Sequence, residues 1–173
     1  MLGEGAKRLE IWDVLDGEGN PTGGTMIRGT EIAPNEYHLV VHIWIVNHCG
    51  SLLIQQRNPD LKLMPGIWAA TGGSVLAGES SIQAARRELY EELGIAAADG
   101  QFQFIDRLKR RNSYCDLWLL HCEEQVRNLR LQAEEVADAR WVSMEQLEDM
   151  VEHEQFHDYG MVYFHRVHNA LNR

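Results

Sequence analysis

Hydrophobic positions along the chain switch between a two-residue period and a period of three to four, and the switches delimit the elements. Leu9 to Leu15 reads as extended, Asp16 to Pro21 carries turn chemistry, and Thr25 to Gly29 reads as the returning strand. An N-terminal β-hairpin within residues 1–30 is therefore expected. Tyr37 to Asn47 is β-branched and aromatic and long enough for a central strand, with Leu52 to Arg57 as its hairpin partner across His48 to Ser51. Trp68 to Val75 is extended, with glycines near its end. The clearest helix is Ser80 to Leu93, where Ser80 and Gln83 form a capping-box pattern and Gly94 stops the helix. Phe102 to Leu108 and Ser113 to Cys122 read as strands, separated by polar residues from Lys109 to Asn112. Ala139 to Val142 is a short strand, Ser143 and Gln146 cap a helix from Met144 to His153, and a last helix runs from Tyr159 to Leu171. Several strands with helices interspersed predict an α/β fold, a mixed sheet with helices packed on it.

Composition narrows the class. The chain has 173 residues and 45% hydrophobic content, enough for one domain with a core. The net charge of −10 argues against nucleic acid as the partner, because polyanion binding needs a basic surface. It is compatible with a small anionic substrate, since a bound cation inverts the local charge. No run approaches the roughly 20 apolar residues of a membrane span. The opening MLGEGAKRLEIW lacks a signal-peptide core, so a cytoplasmic location is expected. Cys49, Cys115 and Cys122 form no C-x-x-C pair, which points to reduced thiols instead of a disulfide framework or a zinc site.

The chemistry concentrates on the helix from Ser80. Ile82, Ala85, Leu89 and Leu93 form its apolar stripe, while Glu88, Glu91 and Glu92 fall at i, i+3 and i+4 on another face. Three carboxylates so close repel one another, and a divalent cation reverses that sign. Arg87 stands four residues before Glu91, placed to hold that carboxylate. Gly72 and Gly73 precede the helix by a loop, where backbone can approach a ligand without a Cβ in the way.

The stretch GSVLAGE from Gly73 to Glu79, seven further residues, and then RELYEELGI from Arg87 to Ile95 resembles the Nudix box, G-x5-E-x7-R-E-U-x-E-E-x-G-U with U aliphatic. Every defined position is met. The resemblance implies a Nudix α/β/α sandwich over residues 1–173: the hairpin in 1–30, a core in 37–153 and the C-terminal helix in 159–171. It implies metal-dependent hydrolysis of a diphosphate linkage in a nucleoside diphosphate derivative or another small organic diphosphate. Glu88, Glu91 and Glu92 would bind Mg²⁺ or Mn²⁺, Gly72 would offer its backbone carbonyl, Arg87 would pair with the carboxylates, and Glu79 would support the helix. A glutamate from a later loop, Glu135 in preference to Glu134, would be a further ligand or the base; Glu88 is the other candidate base. Arg57 and Trp68 are candidate substrate contacts, the first for phosphate and the second for stacking.

The segments around Asp13 to Asp16, His38, Leu52 to Arg57 and Pro65 to Trp68 resemble the isopentenyl-diphosphate-isomerase-like branch, over about residues 8–150. The isomerase, however, needs a cysteine where this chain has Gly72 and a histidine where it has Ser74, and Glu31 replaces one of its histidine ligands. Without a thiol to move a proton at carbon, isomerisation lacks its agent. His38 is then expected to be a strand histidine satisfied in the core. A non-catalytic nucleotide-binding module on the same fold is the remaining alternative. A homodimer is expected to be compatible with this reading, with the hairpin available for exchange.

Overall fold

The computed structural model describes residues 9–172. Residues 1–8 and Arg173, which fall inside the expected hairpin and domain spans, lie outside the described residues. Nine strands and three helices follow in the order β1 Ile11–Leu15, β2 Pro21–Ile27, β3 His38–Val46, β4 Leu52–Arg57, β5 Trp68–Ala69, β6 Thr71–Ser74, α1 Ser81–Leu93, β7 Phe102–Lys109, β8 Ser113–His121, β9 Val136–Val142, α2 Met144–Glu152 and α3 Met161–Leu171.

Alternation along β3 explains the layering. Trp44 and Val46 point into one apolar cluster, which α2 and α3 cover with Leu147, Met150, Tyr163 and Val167. Val41, Ile43 and Ile45 point into the other, covered by Ala84, Ala85, Leu89 and Leu93 of α1. A strand buried on both faces reads as a near-continuous apolar run, which is what β3 is. The result is a mixed seven-stranded sheet between two helical layers, with β3 and β8 parallel from His38↔Ser113 to Val46↔His121.

The sheet splits where the site forms. β3 pairs with β4 only at Ile45↔Leu53 and Val46↔Leu52. Beyond that the strands diverge, and the expected single extended segment from Trp68 to Val75 enters the gap as two strands, with β5 on β4 and β6 on β3. Both helical capping boxes form as read: Ser80 with Gln83, and Ser143 with Gln146. Gly94 closes α1 in the left-handed conformation at φ 72°, where a side chain would be strained and would press on Arg130.

Two boundaries differ from the sequence pattern. β2 starts at Pro21, earlier than the expected Thr25, and β9 starts at Val136, before the expected Ala139. Both extensions are largely exposed, so neither carries a buried alternation to read. The hairpin is nevertheless docked: Leu15 bridges Tyr37, Ala77 donates to the Ile11 carbonyl at 2.8 Å, and Gly78 donates to the Asp13 carboxylate at 2.8 Å. Among the described residues no helix is long and apolar enough to cross a membrane.

Candidate active site

The loop after β6 and the helix α1 bring Glu79, Arg87, Glu88, Glu91 and Glu92 to the open end of the sheet split. Arg87 is the hub. Its Nε and Nη2 donate to the two Glu79 oxygens at 2.9 Å each, Nη1 donates to Glu88 at 2.7 Å and to Glu91 at 3.0 Å, and Nη2 also donates to the Ser74 carbonyl at 3.0 Å. A guanidinium has five N–H groups, so all of them are used within the protein. These carboxylate partners hold the Arg87 pKa above its ordinary value against the opposing effect of burial. Arg87 is therefore a fixed bracket for the carboxylates, with no donor left for a substrate. Glu79 is held in turn by the Leu76 N–H at 3.1 Å.

The three carboxylates on α1 are not equivalent. Glu92 is 2% exposed and faces the sheet, where Gln55 donates to it at 2.9 Å and the Gly72 N–H at 3.1 Å. Gln55 is itself set by Thr71, whose hydroxyl donates to it at 3.2 Å. Burial, reinforced by the neighbouring Glu88 charge, pushes the Glu92 carboxyl up to about 8. Glu88 is pushed up to about 7, again chiefly by burial, with the Arg87 charge acting in the opposite direction. Glu91 lies toward solvent, with a side chain 48% exposed. Gly73 is required by close approach: a Cβ there would overlap the Glu88 carboxylate, and one on Gly72 would overlap the Val41 carbonyl.

These groups open onto a polar cavity of about 270 Å³. Glu88, Glu91, Gly72 and Gly73 form one wall, and Arg57, Gln132 and Glu135 face them. Glu10 and Arg28 of the hairpin close the cavity. Among the described residues no aromatic, aliphatic or cysteine side chain lines it. Glu135 sits just before β9, where its carbonyl accepts the Asn58 N–H at 2.8 Å, and its charge is felt by both Glu88 and Glu92. Larger clefts of about 500 and 580 Å³ run along α2, but neither contains a buried charged side chain.

The donor set is all oxygen, the chemistry a hard divalent cation prefers. Burial raises Glu88 to about 7 and Glu92 to about 8, and an added cation would favour the ionised form of both. Among the described residues no three His, Cys, Asp or Glu side chains converge as a ready-made cage.

Of the sequence-derived candidates, Glu88, Glu91, Gly72, Arg87, Arg57 and Glu135 share the cavity, and Glu92 lies behind it. Trp68 does not. It is 9% exposed in the cluster under α2 and α3, with the Arg140 guanidinium 4.3 Å over its ring, so it serves packing in place of the expected substrate contact. His38 also needs correction: it is buried and stacks on Trp12 at 4.2 Å, but its Nδ1 has no hydrogen-bond partner. Burial holds the ring neutral, with a pKa lowered to about 4. Sequence reasoning missed Gln55, Gln132, Glu10 and Arg28. Gln55 left a signal, the first of two amides following three apolar residues in the strand Leu52–Arg57; the other three left none.

Comparison with known proteins accords with this geometry. A family model described as the NUDIX domain matches residues 36–162. A Nudix hydrolase of Listeria monocytogenes, itself uncharacterised, is 43% identical over 141 residues, covering 81% of this chain and 83% of that one. Among solved structures, a Deinococcus radiodurans protein superposes with a TM-score of 0.73 at 21% identity, covering 85% of this chain and 91% of that one. The Nudix domain of a Shewanella oneidensis protein in complex with ADP-ribose gives a TM-score of 0.54 at 18% identity, covering 65% and 77%.

Proposed function

The chain belongs to the Nudix family and is a Nudix hydrolase, an enzyme of pyrophosphate-type bonds, and from that premise we propose that it hydrolyses, with a divalent cation, the diphosphate linkage of a nucleoside diphosphate derivative or another small polar organic diphosphate. The observation that carries the reading is the pair of buried carboxyls, Glu88 at about 7 and Glu92 at about 8, at the edge of a wholly polar cavity. Such displaced acids mark sites where a charged partner is expected.

Glu88, Glu91 and Glu92, with the Gly72 carbonyl, would hold Mg²⁺ or Mn²⁺. When bound, the cation screens the diphosphate and makes water a better nucleophile. Arg87 keeps Glu88 and Glu91 in one orientation, and Gln55 and the Gly72 N–H do the same for Glu92. Arg57 spends only its Nε, on the Leu63 carbonyl at 3.1 Å, so its terminal nitrogens are free for phosphate oxygens. Glu135 has no side-chain hydrogen bond among the described residues, which suits a proton acceptor facing the reacting water. Glu88 is the second candidate base, favoured by its position near 7.

Two observations bear on the substrate. An isoprenoid tail would lie against charged walls, since nothing apolar among the described residues lines the cavity. Allylic isomerisation would need a thiol there, whereas Cys115 is fully buried and pushed up to about 12. The absence of a basic stripe fits a small-molecule substrate, and a cytoplasmic setting and a homodimer remain part of the proposal.

The test is phosphate release from nucleoside diphosphates, nucleotide sugars and ADP-ribose with Mg²⁺ or Mn²⁺, using Glu92→Gln as control. Cation-dependent release that the substitution reduces by at least about a hundredfold is expected. Release by neither protein over the whole panel, with both folded, would favour a binding module.

A further inference from the structure

The hydrolase reading leaves unexplained why two charged residues of the N-terminal hairpin close the cavity. Arg28 lies one residue past β2 and Glu10 one residue before β1, so they meet across the open end of the hairpin. The Arg28 N–H donates to the Glu10 carbonyl at 2.9 Å, and Arg28 Nη1 reaches the Glu10 carboxylate at 2.6 Å. That is the only side-chain hydrogen bond Arg28 makes among the described residues, so its Nε and Nη2 donors have no partner there.

Beside the divalent cation, the side-chain donors open to a substrate anion are those of the arginines lining the cavity. Among the described residues there are three, Arg28, Arg57 and Arg87. All five N–H groups of Arg87 are consumed by Glu79, Glu88, Glu91 and Ser74. Among the described residues, Arg28 and Arg57 are the lining arginines with donors to give. The approach is otherwise unfavourable to an anion, since Glu10, Glu88, Glu91 and Glu135 share the same space. The hairpin is also fixed in place: Ala77 and Gly78 bond it to the loop before α1, and the Tyr114 hydroxyl donates to its turn at the Gly17 carbonyl.

We propose that Arg28 is a further substrate-binding residue, which exchanges the Glu10 carboxylate for phosphate oxygens of the diphosphate when substrate enters. The hairpin is then a specificity element of the active site, and Glu10 is a resident competitor that only a strongly anionic ligand displaces. Planar guanidinium donors match phosphate oxygens in pairs, so a diphosphate displaces a single carboxylate where a neutral sugar does not. The inference rests on the hydrolase reading for the site, yet its test can separate the two.

The probe is methylenediphosphonate, a non-hydrolysable diphosphate, titrated by calorimetry into the full chain with Mg²⁺ present. Arg28→Gln should weaken binding about tenfold, the scale of a lost hydrogen bond to a charged group. Glu10→Gln should tighten it, by up to about fivefold, since an exposed ion pair no longer has to break. Opposite signs are the discriminating result. If the pair merely latched the hairpin, both substitutions would loosen it and both would weaken binding. Thermal melting of the two variants should show similar small losses, so that opposite changes in binding cannot come from a difference in stability. Equal affinity of Arg28→Gln and the unaltered chain, a parallel loss in both variants, or no binding of the probe at all would overturn the proposal. Binding with the expected signs but no hydrolysis of any diphosphate would overturn the hydrolase reading and leave Arg28 as an anion-binding residue.

Discussion

Replacing Glu92 by Gln should make the cation-free protein more stable at alkaline pH while weakening its response to Mg²⁺. The carboxyl is raised from 4.5 to about 8. A folded-state value above the unfolded one means that the native protein holds the proton more tightly. The associated stability is complete below about pH 4.5 and is lost as pH rises through about 8. At about 1.4 kcal/mol per pKa unit, a rise of that size corresponds to an upper bound of about 5 kcal/mol against the ionised native state. Relaxation and water entry reduce the penalty of a buried ion, so about 2 kcal/mol is expected in practice. Glutamine fits the same space. Its carbonyl can accept from Gln55 and from the Gly72 N–H, as the carboxylate does. The assay is urea unfolding in EDTA at about pH 5 and about pH 9, where each kcal/mol moves the midpoint by roughly 0.3–1 M. The two proteins should agree to within about 1 kcal/mol at the acid end, where Glu92 is protonated, and Glu92→Gln should be the more stable at the alkaline end. Saturating Mg²⁺ should restore the unaltered chain at alkaline pH and shift the variant less, since only Glu88, Glu91 and the Gly72 carbonyl remain to hold the cation. Parallel pH profiles for the two proteins would refute the reasoning, because the background from the net charge of −10 is shared and cancels in their difference.

Three other outcomes follow from the same geometry. Arg87→Lys keeps the charge but cannot supply five donors, so kcat should fall on the order of a hundredfold, with a smaller change in KM; unchanged steady-state kinetics would remove Arg87 as the bracket. Gly73→Ala forces Glu88 away from its place and should reduce cation affinity, read by calorimetry, with stability lowered by only about 1 kcal/mol; cation binding equal to that of the unaltered chain would count against Glu88 as a ligand. Trp68→Leu should cost about 2–4 kcal/mol in denaturant unfolding with KM unchanged, because the ring packs under α2 and α3 and not in the cavity; a raised KM without loss of stability would reinstate it as a substrate contact.

Local rules fix local features, and those were readable from the order of residues. The capping boxes at Ser80 and Ser143, the glycine stop at Gly94 and the carboxylate spacing on α1 each depend on neighbours within one or two turns. The run of β3 was legible for a related reason, since burial on both faces leaves a mostly apolar stretch, interrupted within the strand only by His42. The family motif placed Glu88, Glu91, Glu92 and Arg87 within a single helix for the same cause. Only tertiary structure decided what no short window contains. It split Trp68 to Ser74 between two partner strands, because β3 and β4 diverge after two residue pairs. It turned Glu92 inward onto Gln55, 37 residues away, and so separated a buried acid from its solvent-facing neighbour Glu91. It carried Trp68 to the opposite side of the sheet from α1, left His38 with an unpaired nitrogen, and set Arg28 of the hairpin over the cavity. Each of these turns on which face of a strand meets which distant element. A sequence pattern reports that a face is apolar or polar, whereas burial, charge and the choice of partner are settled only when the layers close.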